Sequence, residues 1–170
     1  MERKYEGVLE SLKGLGKKRV LFVCLGNICR SPAAEGVLRE IVKESGAEDR
    51  WEIDSAGTGG WHVGELPDKR MRIHAGQRGI ELTHRCRKVT PVDFDSFDII
   101  IPMDEDNEYN LRRLAPTLEA ARKIVPMAAF IDPSFGFDHV PDPYYEGSEG
   151  FELVLDLLQD GCRRLFTLAD

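Results

Sequence analysis

No stretch of the 170 residues approaches the roughly 20 consecutive apolar positions of a membrane-spanning helix. The first residues carry no apolar segment of the secretory kind, and Glu2, Glu6 and Glu10 speak against an acid-poor organellar transit peptide. A cytoplasmic protein is expected. Positive charge is in deficit: 23 Lys and Arg against 30 Asp and Glu give a formal net charge of -7. That balance argues against a nucleic-acid surface and a polybasic membrane contact. Cysteine is sparse, at positions 24, 29, 86 and 162, and no pair has the Cys-x-x-Cys spacing of a zinc site. Neither a metal centre nor a secreted disulfide framework is expected, and four free thiols fit a reducing compartment. Repeats, low-complexity tracts and linkers are missing too, so the length implies one domain with an ordinary core.

What is present concentrates in Val20-Leu21-Phe22-Val23-Cys24-Leu25-Gly26-Asn27-Ile28-Cys29-Arg30-Ser31-Pro32. An apolar run leads into a short polar loop, and Ser31-Pro32 supplies a helix cap and a first-turn proline. The expected form is strand, loop, helix. A loop at a helix N-terminus turns backbone N–H groups inward and adds the positive end of the helix dipole, which makes an anion cradle of Leu25 to Ser31. In that field Cys24 is expected to sit as a thiolate near neutral pH. Arg30 can fork two hydrogen bonds to an oxyanion such as phosphate or arsenate. Taken singly, such a Cys is usually a small core residue and such an Arg a solvated one. The spacing within a strand-loop-helix context favours chemistry.

The wording of this loop resembles, almost letter for letter, the phosphate loop of the low-molecular-weight protein tyrosine phosphatases. The resemblance runs from about residue 19 to the C-terminus and leaves residues 1–18 outside it as an N-terminal extension. It implies a cysteinyl-phosphate intermediate, no cofactor, and a substrate that is a phosphotyrosine protein or a small aryl phosphate. A monomer or weak homodimer is expected. A thiolate attacking a phosphate monoester needs an acid for the leaving oxygen. Asp142, in Val140-Pro141-Asp142-Pro143-Tyr144-Tyr145, is the candidate, because flanking prolines hold one carboxylate in place and the segment resembles the family's acid loop. Plain turn chemistry is the competing reading; Asp132 and Asp138 are lesser rivals.

The resemblance further implies that Asn27, Ser31, Ser55 and His84 hydrogen-bond one another and hold the loop open, as preorganised oxyanion binding requires. It marks Cys29 as the second loop cysteine, able to form a reversible disulfide with Cys24, and Trp61, Tyr144 and Tyr145 as candidates to line the substrate cleft. His62 reads as solvated. Cys86 and Lys88 stand where the family more often has Ala and Gln, and Gly36 weakens the first helix slightly.

The remaining pattern predicts an α/β fold: a single domain with a four-stranded parallel sheet, helices on both faces, and the phosphate-binding loop after the first strand. Apolar spacing over Ala34, Val37, Leu38, Ile41 and Val42 predicts the first helix, ending near Gly46. Strands are expected at Trp51 to Ser55, Phe97 to Ile101 and Lys123 to Met127. Further helices are expected at Pro67 to Arg78, at Glu105 to Leu114 with Asp104 as cap, and over Phe151 to Leu165. Val8, Leu9, Leu12 and Leu15 have helical spacing, but a mobile or loosely docked tail is the expectation for 1–18. Residues 57–64 and 128–147 read as loops. Three other functions compete. A protein-arginine phosphatase tends to carry Thr where this chain has Ile28. An arsenate reductase passes oxidation to neighbouring cysteines, and Cys86 and Cys162 are far apart in sequence. A non-catalytic phosphate or phosphopeptide module would have no need of both Cys24 and Asp142.

Overall fold

The computed structural model describes residues 1–170, and β1 (Lys18–Cys24) is its axis. Val20, Phe22 and Cys24 enter the larger of two hydrophobic cores, and Leu21 and Val23 enter the smaller one behind the sheet. A strand buried on both faces has no polar side, which is why its sequence from Val20 to Cys24 is an unbroken apolar run. β2 (Trp51–Gly57) and β3 (Ile99–Pro102) flank it, both parallel to it, with Val20 opposite Ile53 on one edge and Ile99 on the other.

The two crossovers run in opposite directions, the first from β1 out to β2 and the second from β2 back past β1 to β3. α2 (Arg30–Glu44) leads to β2, whereas α3 (Lys69–Gln77) and the one-turn α4 (Asp93–Ser96) lead across to β3. The strand order β2-β1-β3 therefore puts the switch point at the carboxyl end of β1, the crevice where open α/β sheets hold ligands. Beyond β3 come α5 (Glu105–Leu114), the one-turn α6 (Leu118–Ala121) and the long α7 (Ser148–Ala169). Residues of α2, α3 and α7 fill the larger core, while Phe94, Leu111 and Ala120 close the smaller one. Helices cover both faces, as expected.

Three expectations need correction. The sheet has three strands, not four. Ile124 makes a single parallel bridge to Ile100, with Val125 N–H donating to the Ile100 carbonyl at 3.0 Å. Pro126 follows with no N–H to continue the ladder, and the chain turns into a 3-10 helix at Met127–Phe130. Second, Ser31 does not cap α2. The helix begins at Arg30, so Ser31 lies inside its first turn and its hydroxyl serves the loop instead.

Third, the first residues are not a loose tail. They form α1 (Arg3–Lys13), whose Tyr5, Leu9 and Leu12 are buried in the larger core. Leu15, past the helix end, stays exposed. The Leu12 side chain is 1% exposed, so Leu12→Ala should cost about 2 kcal/mol of stability, the low end for a buried leucine. Urea denaturation checks this. An unchanged midpoint would mean that α1 is not docked in solution. Gly36 also differs from its reading as a mere helix-weakener. A Cβ there would lie 2.4 Å from Leu82 Cδ2, so its absence admits the 80–82 segment against α2.

Candidate functional site

The loop from Cys24 to Arg30 joins the end of β1 to the start of α2, and its bend falls at Asn27. Asn27 is the one non-glycine residue with a left-handed backbone, φ 58°, a conformation that asparagine tolerates better than most side chains. Both ends of its amide are engaged. Nδ2 donates to Ser31 Oγ at 2.8 Å and to Ser55 Oγ at 3.0 Å. Oδ1 accepts from Arg87 N–H at 3.0 Å and faces His84 Nε2 at 2.8 Å. The four residues expected to hold one another are thus one connected network. Asn27 and Ser31 are fully buried behind the cradle, so their side chains do not line the cleft.

The network runs deeper than the sequence disclosed. His84 Nδ1 faces Glu35 Oε1 at 3.1 Å and Asp54 Oδ1 at 3.3 Å, and Ser55 Oγ donates to Glu35 at 2.8 Å. Burial alone would raise the Asp54 carboxyl, but bonds from His84 and the Ser55 backbone, with the Arg87 charge, hold it below its usual range. Glu35, Asp54 and His84 bring three ligand-type atoms within 4.8 Å of one another. Arg39 and Arg87 already take the other carboxylate oxygens, so the cluster is an internally paired support for the loop. On the far side, Cys86 Sγ donates to the Asn27 carbonyl at 2.8 Å, and burial together with the Cys24 charge pushes this thiol up to about 11.

Above the network lies a cleft of about 230 Å³, with Cys24, Leu25, Gly26, Ile28, Cys29 and Arg30 at its base. Trp61 and His62 form one wall; Asp142, Tyr144 and Tyr145 form the other. Cys24 Sγ lies 3.0 Å from Ser31 Oγ. Arg30 is almost wholly buried, its Nη1 donating to Asp104 Oδ2 at 2.5 Å and to the Val140 carbonyl at 3.1 Å. Burial opposes its charge, yet the Cys24 charge and Asp104 together raise it further above the ordinary guanidinium value. Its Nη2 points toward Asp142 Oδ2 at 3.7 Å. Cys29 is buried, which drives its thiol far above the usual range, helped by the charges of Asp68 and Cys24. None of the four cysteines is in a disulfide.

Such a cradle, with a buried fork of N–H donors over a sulfur, suits a tetrahedral oxyanion. The comparisons with known proteins agree. The sequence profile of the family described as low molecular weight phosphotyrosine protein phosphatase matches residues 19–169. The chain belongs to this family. The low molecular weight phosphotyrosine protein phosphatase of Schizosaccharomyces pombe is 46% identical over 134 residues, 78% of this chain and 85% of that one. The crystal structure of a protein tyrosine phosphatase from Entamoeba histolytica superposes with a TM-score of 0.85 at 41% identity, covering 89% and 96% of the two chains. A Drosophila arginine phosphatase superposes at 0.81 with 34% identity, covering 87% and 95%.

The family's loop, as it stands in this chain, rests on residues that sequence reasoning passed over. From the sequence Asp104 is only the cap of α5, and its Oδ1 does accept from Asn107 N–H at 2.8 Å. Its other oxygen holds Arg30. His62, expected in solvent, lies over Gly26 in the cleft with Nδ1 2.7 Å from Glu65. Asp132 and Asp138 stand away from the cleft; Asp132 caps the turn at Pro133–Phe135 and Asp138 pairs with His139. No helix is long and apolar enough to cross a membrane.

Proposed function

We propose that this chain hydrolyses phosphotyrosine in proteins, and related aryl phosphate monoesters, through a cysteinyl-phosphate intermediate. The observation that carries the reading is the convergence of Cys24, Arg30 and Asp142 on one aromatic-walled cleft. In the first step the Cys24 thiolate attacks phosphorus in line. The bond to the phenolic oxygen breaks, and Asp142 gives its proton to that oxygen. In the second step the Asp142 carboxylate takes a proton from water, whose oxygen displaces the sulfur and releases inorganic phosphate. Arg30 and the loop N–H groups neutralise the transferring phosphoryl group, so no metal or other cofactor enters.

Trp61, exposed over 70% of its surface, and Tyr145, exposed over 93%, are far more open than apolar rings usually stand. That exposure supports a role in receiving an aromatic ring. Ile28 at the cleft base offers an apolar surface that suits a phenyl ring better than a guanidinium, which favours phosphotyrosine over phosphoarginine. Cys162 is fully buried on α7 with its sulfur against the Ala34 carbonyl, and this weighs against a relay of oxidation to it as in arsenate reductases. The chain should turn over p-nitrophenyl phosphate in the presence of a metal chelator, and a chain that binds phosphate without turnover would be the binding module instead. Asp142→Ala should lower kcat/KM for phenyl phosphate by about 10² to 10⁴, the usual size for one general acid. The loss for p-nitrophenyl phosphate, whose phenolate leaves unaided, should be much smaller. Equal, undiminished rates on both would move the acid elsewhere.

A further inference from the structure

The segment that carries Asp142 is weakly tied to the rest of the chain. Val140 N–H donates to the Met103 carbonyl at 2.8 Å and anchors its start. From 141 to 146 the backbone makes no hydrogen bond to any other element; its bonds are local, Glu146 N–H to Pro143 and Tyr144 N–H to Asp142 Oδ1 at 3.0 Å. Through that last bond the place of Tyr144 fixes the orientation of the Asp142 carboxylate.

Tyr144 in turn is held by Arg70, in the first turn of α3. The Arg70 guanidinium carbon lies 5.3 Å from the Tyr144 ring centre and 4.9 Å from that of Phe151, within cation–π range of both. Phe151 is 1% exposed and packed in the larger core. Asp68 grips the guanidinium from below with two bonds, Nε to Oδ1 at 3.1 Å and Nη2 to Oδ2 at 3.0 Å. The Asp68 N–H donates to the Ile28 carbonyl at 2.8 Å. One unbroken path of contacts thus leads from the phosphate loop through Asp68, Arg70 and Tyr144 to Asp142.

An arginine beside an aspartate at a helix start is usually no more than a solvated partner of the cap. Here the guanidinium also packs on the Tyr144 ring of a loop that has few other ties, chiefly the buried Pro143 and the Arg30–Asp142 pair, and Asp68 fixes its plane. We infer that Arg70 is a positioning residue. It clamps the acid loop over the cleft and keeps the Asp142 carboxyl in register with the phosphate loop, an inference that rests on Asp142 being the general acid.

The experiment is a double-mutant cycle of Arg70→Ala and Asp142→Ala, read as kcat/KM on phenyl phosphate and on p-nitrophenyl phosphate, with inhibition by inorganic phosphate alongside. Arg70→Ala should lower the phenyl phosphate value about tenfold, a size that the strength of a partly desolvated cation–π contact allows. The p-nitrophenyl phosphate value and phosphate inhibition should stay within about twofold, because a good leaving group has little need of the acid. Arg70→Lys, which keeps a cation over the ring, should lose less. In the Asp142→Ala background Arg70→Ala should cost nothing further, since residues acting as one unit are not additive. Equal losses on both substrates, weakened phosphate inhibition, or full additivity would overturn the role of Arg70 while leaving Asp142 in place. If Asp142→Ala itself left both rates intact, the acid assignment would fall and the clamp with it.

Discussion

Cys24→Ser should give a folded protein that binds phosphate and turns over no aryl phosphate. The cradle consists of loop N–H groups and the Arg30 fork, so inorganic phosphate measured by calorimetry should bind within a few-fold of its original strength. The hydroxyl can keep the contact that Cys24 Sγ makes with Ser31 Oγ at 3.0 Å, and the swap is nearly isosteric. Chemistry is another matter. A serine hydroxyl is not ionised near neutral pH, and the nearest side chain, another hydroxyl, is no base to ionise it. Loss of a catalytic nucleophile costs about 10⁶ in kcat where it has been dissected in other enzymes, and a loss of that order is expected. Mass spectrometry of the acid-quenched original chain should find one phosphoryl group on Cys24 and none on the serine variant. Hydrolysis by Cys24→Ser at more than a hundredth of the original rate would remove Cys24 from the mechanism.

The residues of this cradle were legible because they are contiguous. A strand that must be apolar on both faces, a loop with a left-handed turn and a helix start all leave marks within thirteen letters, and period and spacing read them. What the sequence left hidden is held by distance along the chain. Asp104 looks like a helix cap, and it is one; that its second oxygen meets Arg30, 74 positions away, depends on β3 lying beside β1. Glu35 sits on the helix after the loop as an ordinary surface glutamate would, and only the packing of α2 on β2 turns it toward Ser55 and His84. The fourth strand failed for a local reason that the letters did contain: Pro126 within the expected strand has no N–H. The α1 segment failed in the opposite sense. Its helical spacing was visible, but burial depends on the groove that α7 offers, and no property of residues 1–18 alone reveals that groove.

Arg30→Lys should be damaging too, though less than loss of the sulfur, and for geometric reasons. The guanidinium has five N–H donors in a fixed plane. Nη1 is occupied by Asp104 and the Val140 carbonyl, which pins the plane and leaves Nε and Nη2 to fork toward an oxyanion. A lysine ammonium carries the same charge but only a point of it. It can serve Asp104 or the phosphoryl group, and if it turns to the substrate it abandons a half-buried carboxylate and a backbone carbonyl. The transferring phosphoryl spreads its charge over three equatorial oxygens, so the bidentate contact matters most in the transition state. A loss of roughly 10³ or more in kcat is expected, the lower end of what arginine contributes to phosphoryl transfer. KM should rise less than kcat falls, because a point charge still attracts the ground-state dianion. Asp104→Asn offers the complementary measurement: Arg30 stays but its plane is released, so activity should fall less than in Arg30→Lys while phosphate still binds. Near-normal turnover by Arg30→Lys would reduce Arg30 to a structural tie between α2 and α5.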